Sequence, residues 1–169
     1  SLSKMERQDT PADIVTLNIP RMLNILVNEA VSLSNNKHTI TFDIDETLTV
    51  KGNESELRSA FSNLVFNAVR YTPFGGNINI VWKLTKSGKA KFLVKDDGVG
   101  IDAAHIPRLT ERFYRVDEAR TRQTGGAGLG LSIAKHALAN HNSKLEISSK
   151  IDEGSSFSFR LPKELVVQQ

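Results

Sequence analysis

The stretch Asn63–Pro73, NLVFNAVRYTP, decides how the rest of the chain is read. It is helical in pattern and Pro73 ends it, yet it carries asparagines at 63 and 67, one turn apart. Asparagine is a poor residue for a helix interior, because its amide competes for backbone hydrogen bonds. Upstream, Asn53 followed three residues later by Glu56 is a capping-box signature, after which Leu57, Phe61, Leu64 and Ala68 form an apolar stripe. Asn63, Asn67 and the Arg70/Tyr71 pair recur at i, i+4 and i+7/i+8, on one face roughly 100° from that stripe. One edge of a core-facing helix is therefore polar.

Outward from this helix the pattern alternates. From Pro20, well placed for a first helical turn, Leu23, Leu26, Ala30 and Leu33 recur at helical spacing. HTITFDI (38–44) alternates Ile40, Phe42 and Ile44 against polar neighbours, and LTVKG (48–52) follows as a short strand. INIVWKL (78–84) and AKFLVKD (90–96) are strands joined by the turn TKSGK. A long irregular segment from about 102 to 128 holds one short helical turn near AAHIPRL. LGLSIAKHALANH opens a third helix, and KLEISSK and SSFSFRLP are strands joined by IDEGS. Three helices and five or six strands with late hairpins predict an α+β fold, a two-layer α/β sandwich. The polar opening, residues 1–16, reads as a helix tail and linker, 17–165 as the domain, and 166–169 as a C-terminal tail.

Composition excludes several classes. With 169 residues, 39% apolar and 24% charged, the chain is ordinary globular material for one domain. It has no cysteine, which removes disulfides, thiolate metal sites and cysteine nucleophiles. A formal charge of +3 without a dense basic block argues against nucleic acid as a partner. No apolar run approaches the roughly 20 residues that span a bilayer, so the chain as given is expected to be soluble, which is compatible with a piece of a membrane protein.

Three constellations carry chemistry. The asparagine edge is either a solvated helix edge or a source of a neutral, hard amide oxygen for Mg²⁺, with Arg70 facing phosphate. DDGVG (96–100) is either a plain turn or a pocket in which Asp96, held at a strand end, accepts a hydrogen bond from an exocyclic amine such as that of adenine. Gly98 and Gly100 then let the backbone approach a flat ring. GGAGLGL (125–131) places glycines before a helix start, where N–H groups and the helix dipole favour phosphate; a simple glycine hinge is the alternative. Between the last two lies ERFYRVDEARTRQ, with Arg112, Arg115, Arg120 and Arg122 around Phe113 and Tyr114, whose loop setting favours a lid over a nucleic-acid patch.

The ordered set NLVFNAVRYTP, DDGVGI, ERFYRVD, GGAGLGL and GSSFSF resembles the N, G1, F, G2 and G3 boxes of the catalytic and ATP-binding domain of sensor histidine kinases, over nearly the whole chain from about Leu17 to Pro162. The run HIPRLTERFYRVDEARTRQTGGAGLGLSIAKHALANH resembles the phosphate-regulon sensors within that family. The resemblance implies the Bergerat-type α/β sandwich and ATP with Mg²⁺ as its ligands. It implies Asn67 as the metal ligand, with Asn63 facing the same phosphates and Arg70 and Tyr71 on the phosphate and ribose side. Asp96 would read the adenine amine, with Gly98, Gly100 and Ile101 shaping the base pocket. Arg115 would reach the γ-phosphate from a lid that also carries Phe113. Gly126, Gly128, Leu129, Gly130 and Leu131 would form the phosphate cradle.

One departure accompanies these matches. In the family the γ-phosphoryl goes to a histidine in a motif like HELRTPL on a separate helical hairpin, and this chain has no such motif. His38, His105, His136 and His141 lie in unrelated surroundings and read as surface or packing residues. The chain is thus expected to be a kinase core apart from its acceptor, with SLSKMERQ as the stub of an acceptor helix and little self-phosphorylation. No matched residue is an evident general base, which suits a reaction governed by positioning and charge. The implied partners are a histidine-bearing dimerisation domain and a PhoB-like response regulator. The implied setting is the cytoplasmic side of a membrane-anchored homodimer, the isolated domain being a monomer. An ATP-gated clamp of the gyrase or heat-shock type and a partner-sequestering ATP-binding module share the fold and stand as alternatives.

Overall fold

The computed structural model describes residues 14–112, 114 and 130–167. Along the chain run β1 (Val15–Leu17), α1 (Ile19–Ser34), β2 (Thr39–Ile44), β3 (Thr49–Gly52), α2 (Glu54–Tyr71), β4 (Asn77–Leu84) and β5 (Ala90–Asp96). After a 3₁₀ turn at Ile106–Arg108 come α3 (Gly130–Ala139), β6 (Glu146–Lys150), β7 (Gly154–Leu161), a 3₁₀ turn at Lys163–Leu165 and β8 (Val166–Val167). The main sheet has the order β2-β4-β5-β7-β6, with β2 parallel to β4 and every other pair antiparallel. The expected two-layer α+β sandwich with a mixed sheet of five strands is what the chain forms.

The sheet turns one face to the helices in successive rows. Ile80, Val94, Phe157 and Ile147 make one row across four strands, and Trp82, Phe92 and Phe159 the next. Phe61 of α2 descends onto this second row, with ring centroids 5.5 Å from Trp82, 4.8 Å from Phe92 and 5.3 Å from Phe159. All four rings are fully buried, and edge-to-face packing adds to their area burial. The Trp82 indole N–H, which must be satisfied inside a core, donates to Leu48 O at 3.0 Å.

Three details depart from the sequence reading. A second sheet, β1-β3-β8, draws Val15 and Thr16 from the expected linker and Val166–Val167 from the expected tail onto opposite sides of β3. Strands of two and three residues are too short to show alternation. Leu33 is 52% exposed; the buried stripe of α1 runs through Val27, Ala30 and Ser34. Phe42 is 54% exposed although it shares a face with Ile80, because β2 is an edge strand that the helical layer covers only in part.

The capping box at Asn53 is half formed. Asn53 Oδ1 accepts from Glu56 N–H at 3.0 Å, while the Asn53 N–H donates to His141 Nε2 at 3.0 Å and Glu56 Oε2 accepts from Asn140 Nδ2 at 2.5 Å. His141 is buried and its Nδ1 donates to Ala137 O at 2.7 Å. The expected packing histidine thereby ties the start of α2 to the end of α3, which fixes the two helices that flank the site.

Candidate functional site

At one end of the sheet the inward row changes character. Ile78, Asp96, Ser155 and Ser149 are cross-strand neighbours on β4, β5, β7 and β6, so three polar side chains stand where every adjacent row is apolar. Polar groups at core-facing positions cost stability unless paired, and a break in an apolar pattern is where a functional site is to be sought. Ser155 is buried, while Asp96 and Ser149 are half-buried.

Asp96 is the last residue of β5, and one of its carboxylate oxygens accepts from Gly98 N–H at 2.9 Å. The chain then folds against the end of α2. A Cβ on Gly98 would lie 3.0 Å from Asp96 Oδ1 and 3.2 Å from Pro73 Cδ, which is tighter than side chains normally pack. Gly100 has φ +76°, and a Cβ there would meet Lys150 O at 2.0 Å, so glycine is required on both conformational and steric grounds. Ile101 is half-buried against the core.

The neighbouring carboxylate does different work. Asp97 points to the start of β4, where it accepts from Asn77 Nδ2 at 2.6 Å and Asn77 N–H at 2.7 Å. The Asn77 side chain, and after it the Asn77 backbone N–H, hold the Asp97 carboxyl below the ordinary carboxylate value. Adjacent aspartates in the sequence are thus divided into one facing the site and one clasping the sheet.

The asparagine edge of α2 is half-buried, with α3 beside it. Asn63 Nδ2 donates to Ser59 O at 2.8 Å and approaches Ser59 Oγ at 3.2 Å, which turns its oxygen outward. That oxygen stands against Gly130, the first residue of α3, where a Cβ would lie 2.7 Å from it. The Asn67 amide has no hydrogen-bond partner among the described residues. Arg70 is exposed, and Tyr71 closes the helix half-buried before Thr72. Leu131 packs against the core beside Gly130. Phe113, Arg115, Gly126, Gly128 and Leu129 lie outside the described residues.

Asn63 and Thr72 are nine residues apart, about 13 Å along the helix axis. One helix therefore joins the Asp96–Gly98 loop at its C-terminal end to the start of α3, with Asn67 between them. Ser149 and Ser155 escaped the sequence reading as site residues. Their only signal there was polarity at inward positions of KLEISSK and SSFSF, legible once the register is known. Among the described residues no group of three or more His, Asp or Glu side chains is arranged to hold a metal ion, and no helix is long and apolar enough to cross a membrane.

Residues 52–165 match the family described as histidine kinase-, DNA gyrase B-, and HSP90-like ATPase. The chain is 49% identical over 158 residues to the phosphate regulon sensor protein PhoR of Pseudomonas aeruginosa, covering 93% of this chain and 35% of that protein. To the protein of the same name from Haemophilus influenzae it is 45% identical over 168 residues, covering 99% of this chain and 39% of the relative. It thus spans little more than a third of these relatives. Its backbone superimposes on the mycobacterial sensor histidine kinase MprB with a TM-score of 0.75 at 22% identity, covering 88% of this chain and 96% of the other. With its motifs in order and its fold shared, the chain belongs to the histidine kinase-, DNA gyrase B- and HSP90-like ATPases, as a catalytic, ATP-binding domain of the sensor histidine kinase kind.

Proposed function

We propose that this domain binds Mg-ATP along the polar edge of α2 and presents the γ-phosphoryl to a histidine on a separate dimerisation domain, in a membrane-anchored sensor that answers phosphate starvation through a PhoB-like response regulator. The observation that carries the reading is the span of α2: base-reading groups at Thr72–Gly98 and Asp96, the start of α3 at Asn63, and between them at Asn67 an amide without a hydrogen-bond partner among the described residues.

In this reading the Asp96 carboxylate accepts from the adenine amine, and Gly98 and Gly100 admit the flat ring. Asn67 fits the divalent cation because its neutral oxygen is a hard donor that no described residue engages, and Mg²⁺ takes few protein ligands beside phosphate and water. The cation supplies charge neutralisation on the phosphates when bound. Asn63 and the Gly130 end of α3 face the phosphates, Gly126 and Gly128 complete the cradle, Arg70 and Tyr71 lie on the ribose and phosphate side, and Arg115 reaches the γ-phosphate from the lid. These groups position and stabilise charge, which is the larger part of catalysis in phosphoryl transfer.

Calorimetric titration with a non-hydrolysable ATP analogue, with and without Mg²⁺, tests the binding. One-to-one binding strengthened by the metal is expected, and no binding would overturn the reading. Transfer from labelled ATP to an added histidine-bearing hairpin tests the destination. Arg115→Ala is expected to spare ADP binding and slow that transfer, and equal loss for both nucleotides would remove the lid role.

A further inference from the structure

The loop that walls the base pocket is fastened to the end of β6 and the turn after it at three points. Asp152 N–H donates to Val99 O at 2.7 Å, Gly100 lies flat against the Lys150 carbonyl, and Ile101 N–H donates to Ser149 Oγ at 2.8 Å. Two of these fastenings are backbone alone. The third depends on one side chain, which stands outside every motif of the sequence.

Ser149 Oγ has further partners. It is 3.0 Å from Gly154 O and 2.7 Å from Ser155 Oγ. A carbonyl only accepts, so the single Ser149 proton satisfies Gly154 O, and the Ser155 hydroxyl donates to Ser149 Oγ. This directs the Ser155 lone pairs away from Ser149, in the row that Ser155 shares with Asp96. One hydroxyl therefore sets both the backbone beyond Gly100 and the polarity of the side chain next to Asp96.

We propose that Ser149 is a positioning residue of the nucleotide site, holding the Val99–Ile101 backbone and orienting the Ser155 hydroxyl so that adenine is bound and preferred. The inference rests on the nucleotide reading given above and adds a residue that does not itself touch the phosphates.

The test is titration of the native chain, Ser149→Ala and Ser149→Thr with non-hydrolysable ATP and GTP analogues, together with amide hydrogen exchange in the absence of nucleotide. Of the three hydrogen bonds that Ser149→Ala removes, loss of the one that fastens Ile101 predicts ATP-analogue binding weaker by about three- to tenfold and a preference for adenine over guanine narrowed by a similar factor. Ser149→Thr keeps the hydroxyl and is expected to bind as the native chain does. The Ile101 amide is expected to exchange faster in Ser149→Ala, with Val94 and Phe159 in the core unchanged. Native-like binding by Ser149→Ala, an equal loss for both analogues, or a threonine variant as weak as alanine would overturn the proposal. If Ser149→Ala loses protection throughout the core, Ser149→Cys, a near-isosteric change whose thiol is both a weaker acceptor and a weaker donor, replaces it in the same comparison with the same outcomes. Failure of the native chain to bind ATP would instead overturn the nucleotide reading, so the two failures are distinct.

Discussion

Asn63 on α2 and Gly130 at the start of α3 are packed so closely that a Cβ at 130 would stand 2.7 Å from Asn63 Oδ1 and 3.4 Å from its Cγ. Gly130→Ala therefore has two opposed effects. Alanine favours the helix by about 0.5–1 kcal/mol over glycine, while the added methyl displaces the Asn63 amide, which Ser59 holds. Melting temperature is expected to change little and ATP affinity to fall. Differential scanning calorimetry and nucleotide titration of one variant separate these effects, and unchanged affinity would place Asn63 outside the phosphate site.

Asn67 offers a cleaner separation of binding from folding. Its amide has no hydrogen-bond partner among the described residues, so Asn67→Ala should cost little stability. The expected loss is the strengthening of ATP binding by Mg²⁺, with metal-free binding nearly retained. Titrations at several Mg²⁺ concentrations read this directly.

The two aspartates of DDGVG should respond in opposite ways. Asp96→Asn removes a charge-assisted bond to the base worth about 1.5–3 kcal/mol, a loss of about tenfold to a hundredfold in ATP affinity. Asp97→Asn should leave ATP binding near native and weaken the clasp on Asn77. Parallel titration and thermal melting of both variants check the assignment, and equal ATP loss in the two would undo it.

Asp97 also predicts a pH dependence. Its folded pKa lies below the ordinary value of 3.8, since the Asn77 side chain and backbone N–H bond the charged form. The unfolded chain therefore binds the proton first, and the contribution is complete above the ordinary value and lost as pH falls through the folded one. The melting difference between native and Asp97→Asn should be constant above about pH 5 and shrink toward about pH 3. A difference that grows on acidification would contradict this sign.

Phe61 joins the core to the site, being buried under α2 among Trp82, Phe92 and Phe159. Phe61→Ala should cost about 3–5 kcal/mol, because three rings lose their common neighbour. Urea unfolding gives this value, and a loss below about 1 kcal/mol would mean that the cluster repacks freely.

Much of the fold was written in local pattern. The stripe Leu57, Phe61, Leu64 and Ala68, the hairpin turn at Thr85–Lys89 and the alternation of the long strands each report their own element, because side-chain period follows backbone geometry. The asparagine edge and the Asp96 strand end were legible for the same reason, since a polar residue in an apolar period is conspicuous. The capping-box signature at Asn53 is met by Glu56 only in its first half; the second is completed by His141 from the turn after α3, a partner 88 residues away.

Local pattern therefore carries the three helices, the longer strands, the motifs on them and the kind of ligand they suit, all of which depend on neighbours within a turn or a strand. Folding in three dimensions sets Val15–Leu17 and Val166–Val167 on either side of β3, parts Asp96 from Asp97, lays Gly130 on Asn63, and lines Ser149 and Ser155 up with Asp96. Those relations come from strand register and helix packing, which bring together residues that share no local period and so leave no mark on the sequence around them.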